Sequence, residues 1–99
     1  MKIDKKKNGT ELIVEVIGRL DSLTSPELED ELEESYEGIT KLILDLGQLE
    51  YISSAGLRVL LGAAQVMEEQ EGELIVRNLT QAVRDVIELV GFDSAFTIE

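Results

Sequence analysis

The alternation of apolar and polar residues predicts a β-hairpin in the first twenty residues. Asn8-Gly9 favours a tight two-residue turn, because both positions tolerate a positive φ angle. The segment before the turn is rich in lysine and offers only Ile3 for burial. Such a segment is typical of an edge strand that avoids pairing with another chain. After the turn, both faces are largely apolar from Leu12 to Ile17, so the second strand is expected to lie deeper in a sheet.

Residues 24–38 have the features of a first helix. Thr24 and Glu27 form the T-x-x-E pattern of a capping box, and Pro26 suits the first helical turn. A narrow apolar stripe follows, while the remaining positions are mostly acidic. Gly38 is expected to end this helix.

The rest of the chain continues to alternate between strands and helices. The unbroken apolar run at residues 42–44 predicts a strand that is covered on both faces. A second helix is predicted to begin between Ser53 and Ala55 and to close at Gly72, because its apolar residues recur at three- and four-residue spacing. The remaining predicted elements are a short strand at residues 73–78, a third helix that Asn78 caps and Gly91 ends, and a short final strand through Phe96 and Ile98.

This order of elements predicts the fold class. Strands that alternate with helices imply right-handed crossovers and a parallel or mixed sheet. We therefore expect an α/β fold in a single domain over residues 1–99, with a mixed sheet of four to five strands and three main helices. Its core is expected to be aliphatic, since aromatic residues make up only 4% of the chain.

Composition and charge exclude several classes of function. The formal net charge of −12 disfavours nucleic acids and anionic membranes as partners, whereas a basic protein partner would be attracted. The chain has no cysteine and no histidine, so it lacks thiolate chemistry, the commonest general base and the commonest metal ligand. We expect no enzymatic activity, no cofactor and no metal. The absence of a signal peptide and of a long apolar segment predicts a cytoplasmic protein.

Two adjacent serines at the start of the second helix are the main candidates for a functional site. Ser53 is a suitable N-cap, which leaves the hydroxyl of Ser54 in the first turn and facing outward. Gly56 has no side chain and permits close approach of another backbone. A phosphate on Ser54 would be tolerated there, because free N–H groups and the helix dipole favour an anion. The spacing alone leaves open whether the serines are only caps.

Three stretches of the sequence resemble the STAS-domain family, and in particular the bacterial anti-sigma-factor antagonists. They are GRLDSLTSPEL (residues 18–28), LILDLGQLEYISSAGLRVLL (residues 42–61) and LIVRNLTQAVRDVIELVGFDSAFTI (residues 74–98). The resemblance implies a protein that binds an anti-sigma factor with serine kinase activity and thereby releases a sigma factor. It also implies that the kinase inactivates the antagonist by phosphorylation and that a metal-dependent serine phosphatase restores it.

The resemblance places the phosphorylated serine at Ser54. Two residues depart from the family pattern: Ser53 stands where aspartate is usual, and Ala55 where serine or threonine is usual. The first departure makes Ser53 an alternative phosphate acceptor. Asp21 matches the family's aspartate after G-x-L, either as a partner contact or as a turn residue. The partner-binding residues implied are Asp21, Ser53, Ser54, Gly56, Leu57 and Arg58.

Other hypotheses fit the sequence less well. Asp45 follows a buried strand, as the phosphate-accepting aspartate of a receiver domain does, but the acidic pair that receivers carry after their first strand is missing. No Walker-type glycine loop or metal-ligand cluster supports an enzyme. A scaffold subunit of a stress-sensing or transporter-associated assembly is the alternative that keeps the STAS-like fold.

Overall fold

The computed structural model describes residues 1–91 and 96–99, and in them the strands and helices alternate as predicted, with one strand added. Residues 92–95 of the predicted tail lie outside the described residues. The elements are β1 (Lys2–Asn8), β2 (Glu11–Leu20), α1 (Ser25–Glu33), β3 (Lys41–Asp45), β4 (Leu49–Ile52), α2 (Ser54–Glu69), β5 (Glu73–Arg77), α3 (Gln81–Leu89) and β6 (Thr97–Ile98).

The strands form one mixed sheet in the order β1-β2-β3-β5-β6, and β4 pairs with β2 outside this path. β1 is antiparallel to β2, whereas the other neighbouring strands are parallel. The predicted α/β class, the mixed sheet and the three helices are confirmed. β1 lies at the edge of the sheet, as its lysines predicted, and β6 confirms the last short strand.

β2 is long enough to pair with two different strands along its length. Residues 11–15 pair with β3, whereas the end of β2 pairs with β4. The register shifts between Gly18 and Arg19, and Gly18 has a φ of 103°, which an L side chain rarely adopts. β4 escaped prediction because it has only four residues, two of them exposed. It brings Ile52 beside Leu20, immediately before the start of α2.

The core is an aliphatic cluster between one face of the sheet and the three helices, as the composition predicted. Alternate residues of β2 are buried in it, together with the apolar stripes of the helices. Ile43 is also buried and lies in register between Ile13 and Ile75, so it belongs to the opposite face of β3. Among the core residues are Leu12, Val14, Leu28, Leu32, Leu42, Leu44, Leu60, Ala63, Met67, Val83 and Ile87.

The turns differ in detail from the prediction. The hairpin loop is Gly9-Thr10 rather than Asn8-Gly9, and Gly9 has a φ of 65°. α1 ends at Glu33, well before Gly38, and the hydroxyl of Ser35 donates to the carbonyl of Glu31 in the turn that follows. The backbone N–H of Ser35 donates to the carbonyl of Leu32 at 2.9 Å, so a tighter turn follows the end of α1 and Gly38 lies beyond it.

The predicted starts and ends of α2 and α3 are confirmed at some positions and wrong at others. Thr80, not Asn78, caps α3, since its hydroxyl accepts the N–H of Val83. Gly91 follows α3 with a φ of 76°, as predicted. α2 ends at Glu69, and Glu71 rather than Gly72 has the left-handed conformation there.

None of the helices in residues 1–91 and 96–99 combines the length and the apolar character needed to span a membrane.

Candidate functional site

The two serines at the start of α2 have different environments. Ser53 is the N-cap: its backbone is extended (φ −97°, ψ 175°), and its hydroxyl accepts the N–H of Gly56 at 3.4 Å. Its own N–H donates to the carbonyl of Leu20 at 2.9 Å, which ties the helix start to the end of β2. Ser54 is the first helical residue and is exposed. The predicted division between a capping serine and an outward-facing serine is therefore found in the structure.

The next two residues support this surface from beneath instead of forming it. Gly56 is buried, and a Cβ atom built there would lie 2.8 Å from Leu20 Cγ and 2.9 Å from Ile52 Cγ1. The backbone that approaches Gly56 therefore belongs to this domain itself. Leu57 is only 2% exposed and packs in the core. Gly56 and Leu57 were predicted to contact a partner, but both are buried here, because their positions in the first turn of α2 face the sheet.

Asp21 organises the loop between β2 and α1. Its carboxylate accepts the backbone N–H of Leu23 at 3.0 Å and of Thr24 at 3.1 Å. The hydroxyl of Thr24 donates to the carbonyl of Arg19 and accepts the N–H of Asp21. Thr24 thus stabilises the loop and makes no side-chain cap, so the predicted capping box is absent. The turn role that we considered for Asp21 is the one its geometry shows.

The same hydrogen bonds perturb the ionisation of Asp21. The backbone N–H of Thr24, and then that of Leu23, hold the pKa of this carboxyl below its ordinary value. These donors favour the charged form. Asp21 is therefore expected to be ionised whenever the loop is in this conformation at neutral pH.

The loop held by Asp21 presents an apolar side chain that the sequence analysis did not identify. Leu23 is 88% exposed, the most exposed large hydrophobic residue in the part of the chain that the structure describes. Its position is fixed by its N–H bond to Asp21, so little backbone freedom would be lost on binding a partner. The available signal was an apolar residue in an otherwise polar loop, outside the helical period of α1.

Arg19 of β2 and Tyr51 of β4 form a cation–π pair near the ends of these two strands. The guanidinium of Arg19 stacks over the ring of Tyr51 with its carbon 4.3 Å from the ring centroid. The two residues are register partners, and Tyr51 is 41% exposed. This contact adds an exposed aromatic surface two residues before the capping serine.

A small cleft joins the loop to the start of α2. It is lined by Ser22 of the loop, by Ala55 and Arg58 of α2, and by Glu29 of α1. Arg58 is exposed, one turn beyond Ser54. The predicted site residues Asp21, Ser53, Ser54 and Arg58 therefore lie around one surface, which we call the helix-start surface together with Ser22 and Leu23.

Asp45, the candidate acceptor of the receiver hypothesis, has a structural role at the end of β3. Its carboxylate accepts the N–H of Gly47 at 3.0 Å and the side-chain amide of Asn78 at 3.3 Å. These contacts connect the turn after β3 to the turn after β5. Asp45 is half-buried and so is less open to modification than Ser54.

Comparison of the chain with known proteins identifies its family. The family model described as the STAS domain matches residues 2–99. The chain belongs to the STAS domain family. BtrV of Bordetella bronchiseptica, which is named as a proposed anti-sigma factor antagonist, is 40% identical to this STAS domain over 99% of the chain and 85% of BtrV. The sequence-based assignment to this family is thereby confirmed, and the receiver hypothesis is not supported.

Solved structures show the same fold. An anti-sigma factor antagonist from Mycobacterium paratuberculosis superimposes with a TM-score of 0.87 at 26% identity, over 98% of this STAS domain and 83% of that chain. SpoIIAA, an anti-sigma factor antagonist, gives a TM-score of 0.79 at 17% identity, over 99% of this domain and 87% of that chain. SpoIIAA has been solved in both unphosphorylated and phosphorylated forms.

Proposed function

We propose that this STAS domain is an anti-sigma factor antagonist that acts by binding and not by catalysis. In its unphosphorylated form it binds an anti-sigma factor with serine kinase activity, and the sigma factor is released. Phosphorylation of Ser54 by that kinase ends the interaction, and a metal-dependent serine phosphatase restores it. The relationship to BtrV and the exposed serine at the start of α2 support this proposal.

The exposure of Ser54 is the observation that carries the proposal. A kinase must reach the hydroxyl oxygen, and Ser54 is exposed on the first turn of α2. Ser53, the alternative acceptor, is half-buried, and its oxygen already accepts the N–H of Gly56. Phosphorylation of Ser53 would disturb the cap, whereas phosphorylation of Ser54 would leave it in place.

The partner would dock on the helix-start surface. Leu23 offers an apolar contact on a hydrogen-bonded loop, while Ser54 and Arg58 offer polar contacts on α2. Gly56 and Leu57 contribute indirectly, because they set how closely α2 packs on the end of β2. The net charge of −12 would attract a basic partner at long range, whereas the partner group that lies next to Ser54 is acidic, so that an added phosphate repels it.

A phosphate on Ser54 would change docking without unfolding the domain. It would add about −1.5 to −2 charges at the N-terminus of a helix, where an anion is electrostatically favoured. A like-charge contact with a partner group at ~4 Å costs about 4 kcal/mol at an effective dielectric of ~20. Since each 1.4 kcal/mol is a tenfold change in affinity, one such contact would abolish a micromolar complex.

Site mapping tests this proposal. The purified domain is incubated with ATP and the serine-kinase anti-sigma factor encoded in the same genome, and the phosphorylated residue is located by peptide mass spectrometry. We expect the phosphate on Ser54, its loss in Ser54→Ala and its retention in Ser53→Ala. Incubation with the cognate metal-dependent phosphatase should remove it. Phosphorylation of Ser53, or none in the presence of a demonstrably active kinase, would refute the proposal.

A further inference from the structure

Ser54 and Arg58 lie one turn apart on the same face of α2. Residues four apart on a helix have Cβ atoms roughly 5–6 Å from each other and can pair along its surface. Both residues are exposed; Ser54 is the first residue of α2, and the capping bond from the N–H of Gly56 to the Ser53 hydroxyl holds this first turn. An acidic group placed N-terminal to a basic one at this spacing is the more favourable orientation.

The guanidinium of Arg58 is not engaged in an ion pair with any of the described residues. In residues 1–91 and 96–99, the ion pairs within 4.0 Å involve Lys2, Lys5 and Arg77 as their cations. The carboxylate that shares a cleft with Arg58 is that of Glu29 on α1, and the two do not reach ion-pair distance. Arg58 therefore carries a positive charge beside Ser54 that no close carboxylate of the described residues neutralises.

We infer that Arg58 binds the phosphate of Ser54 within the same helix. The inference rests on the proposed phosphorylation of Ser54. A guanidinium presents forked N–H donors that match phosphate oxygens, and the distance along one helical turn suits its side chain. Phosphorylation then changes two groups at once: it adds a dianion, and it withdraws Arg58 from contact with a partner. The combined charge of the two side chains changes from +1 to about −1.

The second ionisation of the phosphate provides a direct measurement. Phosphoserine is incorporated at position 54 during translation, which requires no kinase, in the otherwise wild-type chain and in Arg58→Gln. Phosphorus NMR then follows the second pKa of the phosphate, which is near 6 for a free phosphoserine. We expect a second pKa about 0.2 to 0.4 units lower in the wild type than in Arg58→Gln, since a cation at i+4 favours the dianion.

The controls separate Arg58 from its surroundings. The helix N-terminus, the carboxylate of Asp21 on the loop and that of Glu29 on α1 are the same in both proteins, so the difference isolates Arg58. Lys7 lies on β1 and pairs with Leu12, near the start of β2 and about 25 Å along the strand from the end of β2 that meets α2. Lys7→Gln therefore removes a distant positive charge and should leave the second pKa of the phosphate unchanged. Arg58→Lys should recover part of the shift, and the guanidinium Nε–H resonance of Arg58 should move on phosphorylation.

These measurements test the pairing of Arg58 with the phosphate separately from the proposed function. Equal second pKa values in the wild type and Arg58→Gln, with no change in the Arg58 Nε–H resonance, would overturn the inference even if phosphorylation blocks the partner. If the shift is found but the phosphorylated domain binds its anti-sigma factor as tightly as before, then the pairing holds and the proposed function fails.

Discussion

Replacement of Gly56 by alanine tests how the start of α2 is packed on the sheet. A Cβ atom at position 56 would lie 2.8 Å from Leu20 Cγ, 2.9 Å from Ile52 Cγ1 and 3.0 Å from the carbonyl oxygen of Leu20. The carbonyl is backbone that also accepts the N–H of Ser53, so it cannot move without disturbing the cap. We therefore expect Gly56→Ala to push α2 away from the end of β2.

The magnitude follows from two opposing effects. Overpacking a tight site costs about 1–3 kcal/mol. Alanine is favoured over glycine within a helix by about 0.8–1 kcal/mol, which offsets part of that cost. The expected net loss in the free energy of unfolding is therefore about 0–2 kcal/mol, and for a domain of this size each kcal/mol lowers the Tm by about 4–8 °C.

A second glycine in the same helix serves as the matched control. A Cβ atom at Gly62 would have no heavy atom within 4 Å, so Gly62→Ala gains the helix propensity without the clash. We expect Gly62→Ala to raise the free energy of unfolding by about 0.8–1 kcal/mol. The free energy of unfolding of both variants is measured by urea denaturation, and the two are compared provided that its dependence on urea concentration is the same. A Gly56→Ala variant as stable as Gly62→Ala would show that α2 does not pack on Leu20 as described.

Three further predictions concern the helix-start surface. Ser53→Ala should lower the free energy of unfolding by about 1 kcal/mol through loss of the cap, whereas Ser54→Ala should change it by less than about 0.5 kcal/mol; equal losses in urea unfolding would contradict the division between the two serines. Because the folded-state pKa of Asp21 is lowered, its stabilising contribution is present above the unfolded pKa of about 3.9 and is lost as the pH falls through the folded pKa. The stability gap between the wild type and Asp21→Asn should therefore narrow in unfolding experiments below about pH 4, and a gap that does not change with pH would count against the hydrogen-bonded carboxylate. Leu23→Ser should weaken binding of the anti-sigma factor in calorimetry while the Tm stays within a few degrees of wild type, and unchanged affinity would remove Leu23 from the docking surface.

Local sequence patterns predicted the elements with strong periodicity and missed those fixed by distant contacts. The apolar periods of α2 and α3 and the alternation in β2 are repeated signals, so these elements were predicted correctly. β4 has two exposed residues among four and forms because Ile52 finds a partner in Leu20, which no local pattern reveals. Thr24 fitted a capping box, but its hydroxyl instead donates to the carbonyl of Arg19 at the end of β2 and accepts the N–H of Asp21.

The same contrast between local patterns and distant contacts explains which parts of the site the sequence predicted. The roles of Ser53 and Ser54 follow from the chemistry of a helix start, which is local. The burial of Gly56 and Leu57 depends on which face of the first turn meets the sheet, and this is a tertiary property. Leu23 is exposed because the Asp21 hydrogen bonds turn the loop outward. The role as a scaffold subunit stays an untested alternative.

The affinity of the phosphorylated domain for its anti-sigma factor tests the central claim most directly. The domain with phosphoserine at position 54 and the unmodified domain are titrated by calorimetry against the same anti-sigma factor, and the Tm of each is recorded. We predict that Kd rises at least about 100-fold on phosphorylation, which corresponds to about 2.7 kcal/mol, while the Tm does not fall. Equal affinity of the two forms, or a loss of affinity accompanied by unfolding, would contradict a switch that works through the exposed hydroxyl of Ser54.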